Sequence, residues 1–162
     1  MEKPLNLDHI DRAIVDELQR DGRASYKSIA RKLGVSDGTV RLRTERMMEC
    51  GYLRISASVN PLYFENTLTA IIGINLEKKV DQTIMEWVSR CSGVQSVINV
   101  TGRYDLLVEL SVSSRSNLKR FLVDDLQALG GVVSTETYLY LEAINKWVEH
   151  KEHDQDLPGA WK

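Results

Sequence analysis

Arg41, Arg43 and Arg46 fall in one short stretch behind Ser36 and Thr39. Guanidinium groups at that spacing suit phosphate oxygens and base edges, and the hydroxyls ahead of them suit the same acceptors and donors. A second set stands far along the chain, with Gly102, Arg103, Tyr104 and Asp105 in one segment and Ser134, Thr135 and Thr137 in another. A free amino acid carries an ammonium and a carboxylate on adjacent atoms, so its site needs an anion beside a cluster of donors. Asp105 offers the anion, and the backbone N–H groups around Gly102 and Arg103 offer the donors. The same residues have a plainer reading, in which Asp105 starts a strand and caps a hairpin and the threonines are ordinary strand formers. Metal chemistry has no support: His9, His150 and His153 form no ligand set, and Cys50 and Cys91 have no nearby cysteine.

The arginines need a helix to aim them. Ser25 caps a short helix with Ile29, Ala30 and Leu33 on one face, and Gly34 ends it. Val35 plugs the corner. Ser36 then caps a second helix whose inward residues are expected at Val40, Thr44, Met47 and Gly51. The opposite side presents Gly38, Leu42, Glu45, Arg46 and Glu49, flanked by Thr39, Arg41 and Arg43, so all three arginines are expected to point away from the core. Leu42 is an apolar residue aimed outward: it touches a thymine methyl or it packs against the preceding helix. Arg20 to Arg46 holds eight Lys or Arg against three Asp or Glu, in a chain of net charge −2. That local excess favours double-stranded DNA as the partner over a merely solvated helix face. Upstream, Asp8 is the expected cap of a third helix, with Asp11 three residues on and Leu7, Ile10, Ile14 and Leu18 as its buried stripe.

With 162 residues, 43% of them hydrophobic and 27% charged, the chain has room for two small domains. No apolar run approaches a membrane span, MEKPLNLD has no signal-peptide core, and two unpaired cysteines fit a reducing cytoplasm. From residue 67 the pattern changes. TLTAIIGINL alternates as a strand, Asp81 opens a helix, and VQSVINVT and YDLLVELSV are strands about a Gly102-Arg103 turn. Ser114 or Ser116 caps a further helix that Gly130-Gly131 stops, and VVSTETYLYLEA is the last strand. The order strand, helix, strand, strand, helix, strand is that of a ferredoxin-like sandwich, so the expected class is α+β. Its helices cover one side of the sheet. Ile71, Val97, Leu107, Tyr138 and Tyr140 are expected on the other, an apolar face that calls for self-association, a folded-back ISASVNPLYFEN segment, or both.

The motifs LDHIDRAIVDELQRDGRAS, LGVSDGTVRLR, ECGYL, TGRYDLLVEL and GGVVSTETYLYLE, in this order and over roughly residues 5–145, resemble the Lrp/AsnC, or feast-famine, transcriptional regulators. The resemblance implies an N-terminal helix-turn-helix domain in residues 1–54, a linker in 55–66, a ferredoxin-like effector and oligomerisation domain in 67–145, and a polar tail in 146–162. It also implies dimers that assemble into octamers or similar rings, amino-acid effectors, DNA contact through Ser36, Thr39, Arg41, Arg43 and Arg46, and effector contact through Gly102, Tyr104, Asp105, Ser134, Thr135 and Thr137; the outward Leu42 and the turn residue Arg103 join these two sets by their position alone. No catalytic cofactor is expected. Thr44 stands where the family usually has Ile or Val, Met47-Met48 stands where a Leu followed by a charged residue is usual, and VNPLYFENTL lacks a Gly often found there. Two alternatives stay open: a DNA-compacting protein that needs no ligand, and an enzyme akin to the sirohaem decarboxylases on the same scaffold. The enzyme lacks support in INVTGRYDLLVEL, which contains no histidine.

Overall fold

A computed structural model describes residues 6–60 and 67–148. The chain divides into two compact units, Met1–Ser56 and Ala57–Lys162. Expectations for His150, His153 and most of the tail lie outside the described residues.

In the first unit, α1 (His9–Arg20) begins with a reciprocal cap. Asp8 Oδ1 accepts from the N–H groups of Ile10 and Asp11 at 2.9 Å, and Asp11 Oδ2 accepts from the Asp8 N–H at 3.2 Å. Ser25 caps α2 (Tyr26–Leu33), and Gly34 ends it with φ of 68°, a left-handed turn that glycine adopts without a Cβ penalty. Ser36 caps α3 (Asp37–Glu49) by accepting from the Thr39 N–H at 3.0 Å. The core is Ile14, Leu18, Ile29, Ala30, Val40 and Met47. Each such side chain contributes roughly 1.5–3 kcal/mol relative to exposure when it is fully buried and large. Thr44 is buried as expected, and its hydroxyl donates to the Val40 carbonyl at 2.8 Å, so the core hydroxyl is satisfied within its own helix. Gly51 is not inward: α3 stops at Glu49, and Gly51 is exposed in the turn beyond it with φ of 71°.

The second unit runs β1 (Leu68–Leu76), α4 (Gln82–Ser89), β2 (Val94–Asn99), β3 (Leu106–Val112), α5 (Arg115–Arg120), a π-helical turn (Phe121–Asp125), α6 (Leu126–Leu129) and β4 (Val132–Leu139). The strands form one antiparallel sheet in the order β2-β3-β1-β4. Alternation along β1 and β3 sends Ala70, Ile72, Ile74, Leu106, Val108 and Leu110 to one face. There they pack with Val88, Phe121 and Leu126 from the helices. This is the α+β ferredoxin-like arrangement that the strand and helix order implied.

The other face carries Ile71, Leu107, Tyr138 and Tyr140, but not Val97. A bulge between Val94 and Ser96 shifts the register, pairing Val97 with buried Val108 and Ile98 with Leu107. Val97 therefore packs toward the helices while Ile98, 52% exposed, takes the open face. Past β4, Val148 is buried and exchanges two backbone hydrogen bonds of 2.9 Å with Val59, while Lys146 pairs with Glu109. The start of the expected tail is thus tied to the expected linker.

Candidate nucleic-acid interface and effector turn

The outer face of α3 is as exposed as its spacing implied, and Leu42 is 70% exposed rather than packed on α2. At the start of the helix the Ser36 and Thr39 hydroxyls lie 2.8 Å apart, so both are engaged in the cap. Arg41 is exposed, with its guanidinium carbon 5.7 Å from the centre of the Tyr26 ring on α2. That stacking pre-orders a side chain that stays exposed.

Arg43 and Arg46 differ from expectation. Arg43 Nη1 donates to Asp8 Oδ2 at 2.7 Å and to Asp11 Oδ1 at 2.9 Å, and Arg46 Nη2 donates to Asp11 Oδ2 at 2.9 Å. The Asp11 carboxylate is almost wholly buried, with 1% of its side chain exposed. Hydrogen bonds to Asp11 and then to Asp8 hold the Arg43 guanidinium above its ordinary pKa. The Asp8 carboxyl is lowered to about 2, first by the Asp11 N–H and then by Arg43. The two arginines therefore do not simply point away from the fold; they join α3 to the head of α1. Sequence reading placed Asp8 and Asp11 in a cap and missed this second role, because their partners lie 32 and 35 residues away.

The turn between β2 and β3 is fixed from several sides. Val100 donates to the Asp105 carbonyl at 3.2 Å, and the Asp105 N–H donates to the Ile74 carbonyl at 3.0 Å. Asp105 Oδ2 accepts from the Leu76 N–H at 2.8 Å, where the pairing of β1 with β4 is irregular. Asp105 thus stands just before β3, as in its plainer reading, but its carboxylate caps the end of β1 rather than the hairpin. Tyr104 lies across Gly73: a Cβ there would sit 2.6 Å from the ring, so only glycine admits this approach. The Tyr104 hydroxyl donates to Glu136 and lies 2.9 Å from the Tyr138 hydroxyl, while Arg103 Nη2 is 3.2 Å from Glu136 Oε2. These bonds raise the Tyr104 pKa and lower that of Glu136. Sequence reading placed Tyr138 on the open sheet face but not beside Tyr104, and did not single out Glu136, whose place opposite Gly73 was the signal available once the strands were paired.

The seven residues expected around an effector do not converge. Ser134 is level with Asn75, whose Nδ2 donates to its hydroxyl at 3.0 Å. Thr135 and Thr137 are level with Ile74 and Ile72, on the helix side of the sheet, whereas Tyr104 covers the opposite side. The period of two along β4 separates them. Gly102 to Asp105 stay together in the turn. Among the described residues no group of His, Cys, Asp and Glu can hold a metal ion, and no helix is long and apolar enough to cross a membrane.

A helix-turn-helix unit followed by a ferredoxin-like sheet with helices on one side defines a class of two-domain DNA-binding regulators. The comparisons specify which. An AsnC-type helix-turn-helix model matches residues 7–48, and a model of the Lrp/AsnC ligand binding domain matches residues 69–147. An uncharacterised HTH-type transcriptional regulator of Pyrococcus furiosus is 35% identical over 142 residues, which is 87% of this chain and 95% of the relative. The leucine-responsive regulatory protein of Escherichia coli is 29% identical over 145 residues, 87% of this chain and 88% of that protein. The crystal structure of the leucine response regulatory protein of Mycobacterium tuberculosis superposes with a TM-score of 0.73 at 25% identity, covering 86% of this chain and 96% of that one. The chain belongs to the Lrp/AsnC family of transcriptional regulators. These relatives are regulators and not enzymes, which removes the decarboxylase alternative.

Proposed function

We propose that this regulator binds specific DNA sequences through α3 and that an amino acid, received at the turn from Gly102 to Asp105, alters that binding. The observation that carries the effector reading is the placement of Asp105. One carboxylate oxygen is committed to the Leu76 N–H, which holds the group rigidly at the mouth of a turn containing Gly102 and Arg103. A carboxylate fixed in this way serves an ammonium with little further ordering. The name of the E. coli relative, a leucine-responsive protein, is in keeping with an amino acid as the effector. On the DNA side, Leu42 and Arg41 are the exposed side chains best suited to base edges, with Ser36 and Thr39 at the start of the helix near the backbone. Thr135 and Thr137 have at most an indirect part.

The open sheet face supports self-association, since Ile98 and Tyr138 are 52% and 46% exposed there. A dimer, and an octamer or similar ring of dimers, would present two or more α3 helices to repeated half-sites. The cytoplasm is the compartment where such a protein meets chromosomal DNA.

Calorimetric titration with each of the twenty amino acids identifies the effector, and Asp105→Asn tests the site. Asparagine keeps an acceptor for the Leu76 N–H and removes the charge. Effector affinity is expected to fall by about 1.5–3 kcal/mol, the worth of a charged hydrogen bond, with ligand-free DNA binding retained. Unchanged affinity removes Asp105 from the site, whereas no binding of any amino acid by the wild type refutes the effector reading and favours the ligand-independent DNA-compacting alternative.

A further inference from the structure

Three arginines on the DNA-facing half of α3 have different freedoms. Arg41 stacks on a neutral ring and keeps its full charge available. Arg43 and Arg46 face two carboxylates, Asp8 and Asp11, so the four side chains together carry no net charge. Among the described residues Arg46 is held through Asp11 alone, although 44% of its side chain is exposed. Asp11 cannot turn away to release it: its carboxylate is buried, and it also accepts the Asp8 N–H and the Arg43 guanidinium. A guanidinium already neutralised at 2.9 Å has little to gain by displacing a counterion from DNA.

Resting on the reading of α3 as the DNA-facing helix, we infer that Asp11 is a specificity-determining residue that withholds Arg46 from the DNA phosphates, while Arg43 is held by Asp8 as well. Non-specific affinity is almost entirely electrostatic, whereas the contacts of Arg41 and Leu42 with base edges are sequence-dependent. A buried carboxylate that neutralises the arginines farther along the helix therefore lowers binding to every sequence alike and leaves base readout as a larger share of the total. It does so without touching DNA, as a positioning residue.

The test measures affinity against salt concentration for the full chain on one cognate and one unrelated duplex. In Asp11→Asn the amide keeps an acceptor and loses the charge, so Arg46 becomes available. The slope of log affinity against log salt is expected to steepen by about one. Affinity for the unrelated duplex is expected to rise, and the ratio of cognate to unrelated binding to fall. Arg46→Gln is expected to leave the wild-type slope unchanged, and the double variant Asp11→Asn with Arg46→Gln to restore it. A slope that drops by about one in Arg46→Gln shows that Arg46 already holds a phosphate and overturns the inference. So does an Asp11→Asn protein, folded by circular dichroism, with the wild-type slope and ratio. If Asp11→Asn does not fold, Arg46→Gln alone decides by the same criterion. Arg41→Gln separates the two levels: weakened binding there sustains α3 as the DNA-facing helix, and unchanged binding overturns that reading and this inference with it.

Discussion

Each unit sets an arginine against a carboxylate, on opposite sides of the solvent boundary. In the first, 1% of the Asp11 side chain and 24% of the Arg43 side chain are exposed. In the second, 41% of the Glu136 side chain and 76% of the Arg103 side chain are exposed. A carboxylate removed from water must keep its partners, because losing one leaves a charge with neither solvent nor counterion. An exposed pair exchanges its partner for water at little cost. The first pair therefore belongs to the fold, and the second belongs to a surface that can rearrange around a ligand or a second copy of the chain.

The strongest way to break this comparison is Arg43→Ala. It removes two charged hydrogen bonds, one to a buried carboxylate, and is expected to destabilise the first unit by about 1.5–3 kcal/mol. Hydrogen exchange of α1 and α3 amides in the full chain reads this directly. Protection equal to wild type would place Arg43 in the same class as Arg103 and dissolve the contrast.

Acid gives a second, smaller separation. The Asp8 pKa is about 2 in the folded chain against an ordinary value of 3.8. A depressed carboxylate contributes stability that is fully present above its unfolded value and disappears as pH falls through the folded one. Protection of α1 is therefore expected to weaken between about pH 4 and pH 2. Asp8→Asn, which retains a good helix cap, should flatten that dependence; an unflattened profile would assign the acid sensitivity to another group.

Arg103→Ala should have the smallest effect on stability, below about 1 kcal/mol, as expected for an exposed pair. Its thermal midpoint is expected to lie close to the wild type. Effector affinity measured by calorimetry is expected to fall nonetheless, because the guanidinium stands in the turn beside Asp105. A large loss of stability would show that the Arg103 and Glu136 pair is structural after all.

The amino-acid sequence by itself determined the features whose partners lie within one turn of helix or one step of strand. Asp8, Ser25, Ser36, Asp81 and Ser114 are each extended and each cap the helical run that follows, by accepting from backbone N–H groups two or three residues on. The stripes through Ile14, Val40, Ile72 and Val108 point inward because the helix and strand periods leave no other choice. The opposite facing of Ser134 and Thr135 was available from the same period of two, and grouping them by composition obscured it. Only the tertiary structure decided the rest. The bulge in β2 exchanged Val97 for Ile98 on the open face, because an extra residue in one strand reverses every side chain beyond it. Asp11 met Arg43 and Arg46 because the angle at which α1 docks on α3 is set by the core between them, and no local pattern in either helix encodes that meeting.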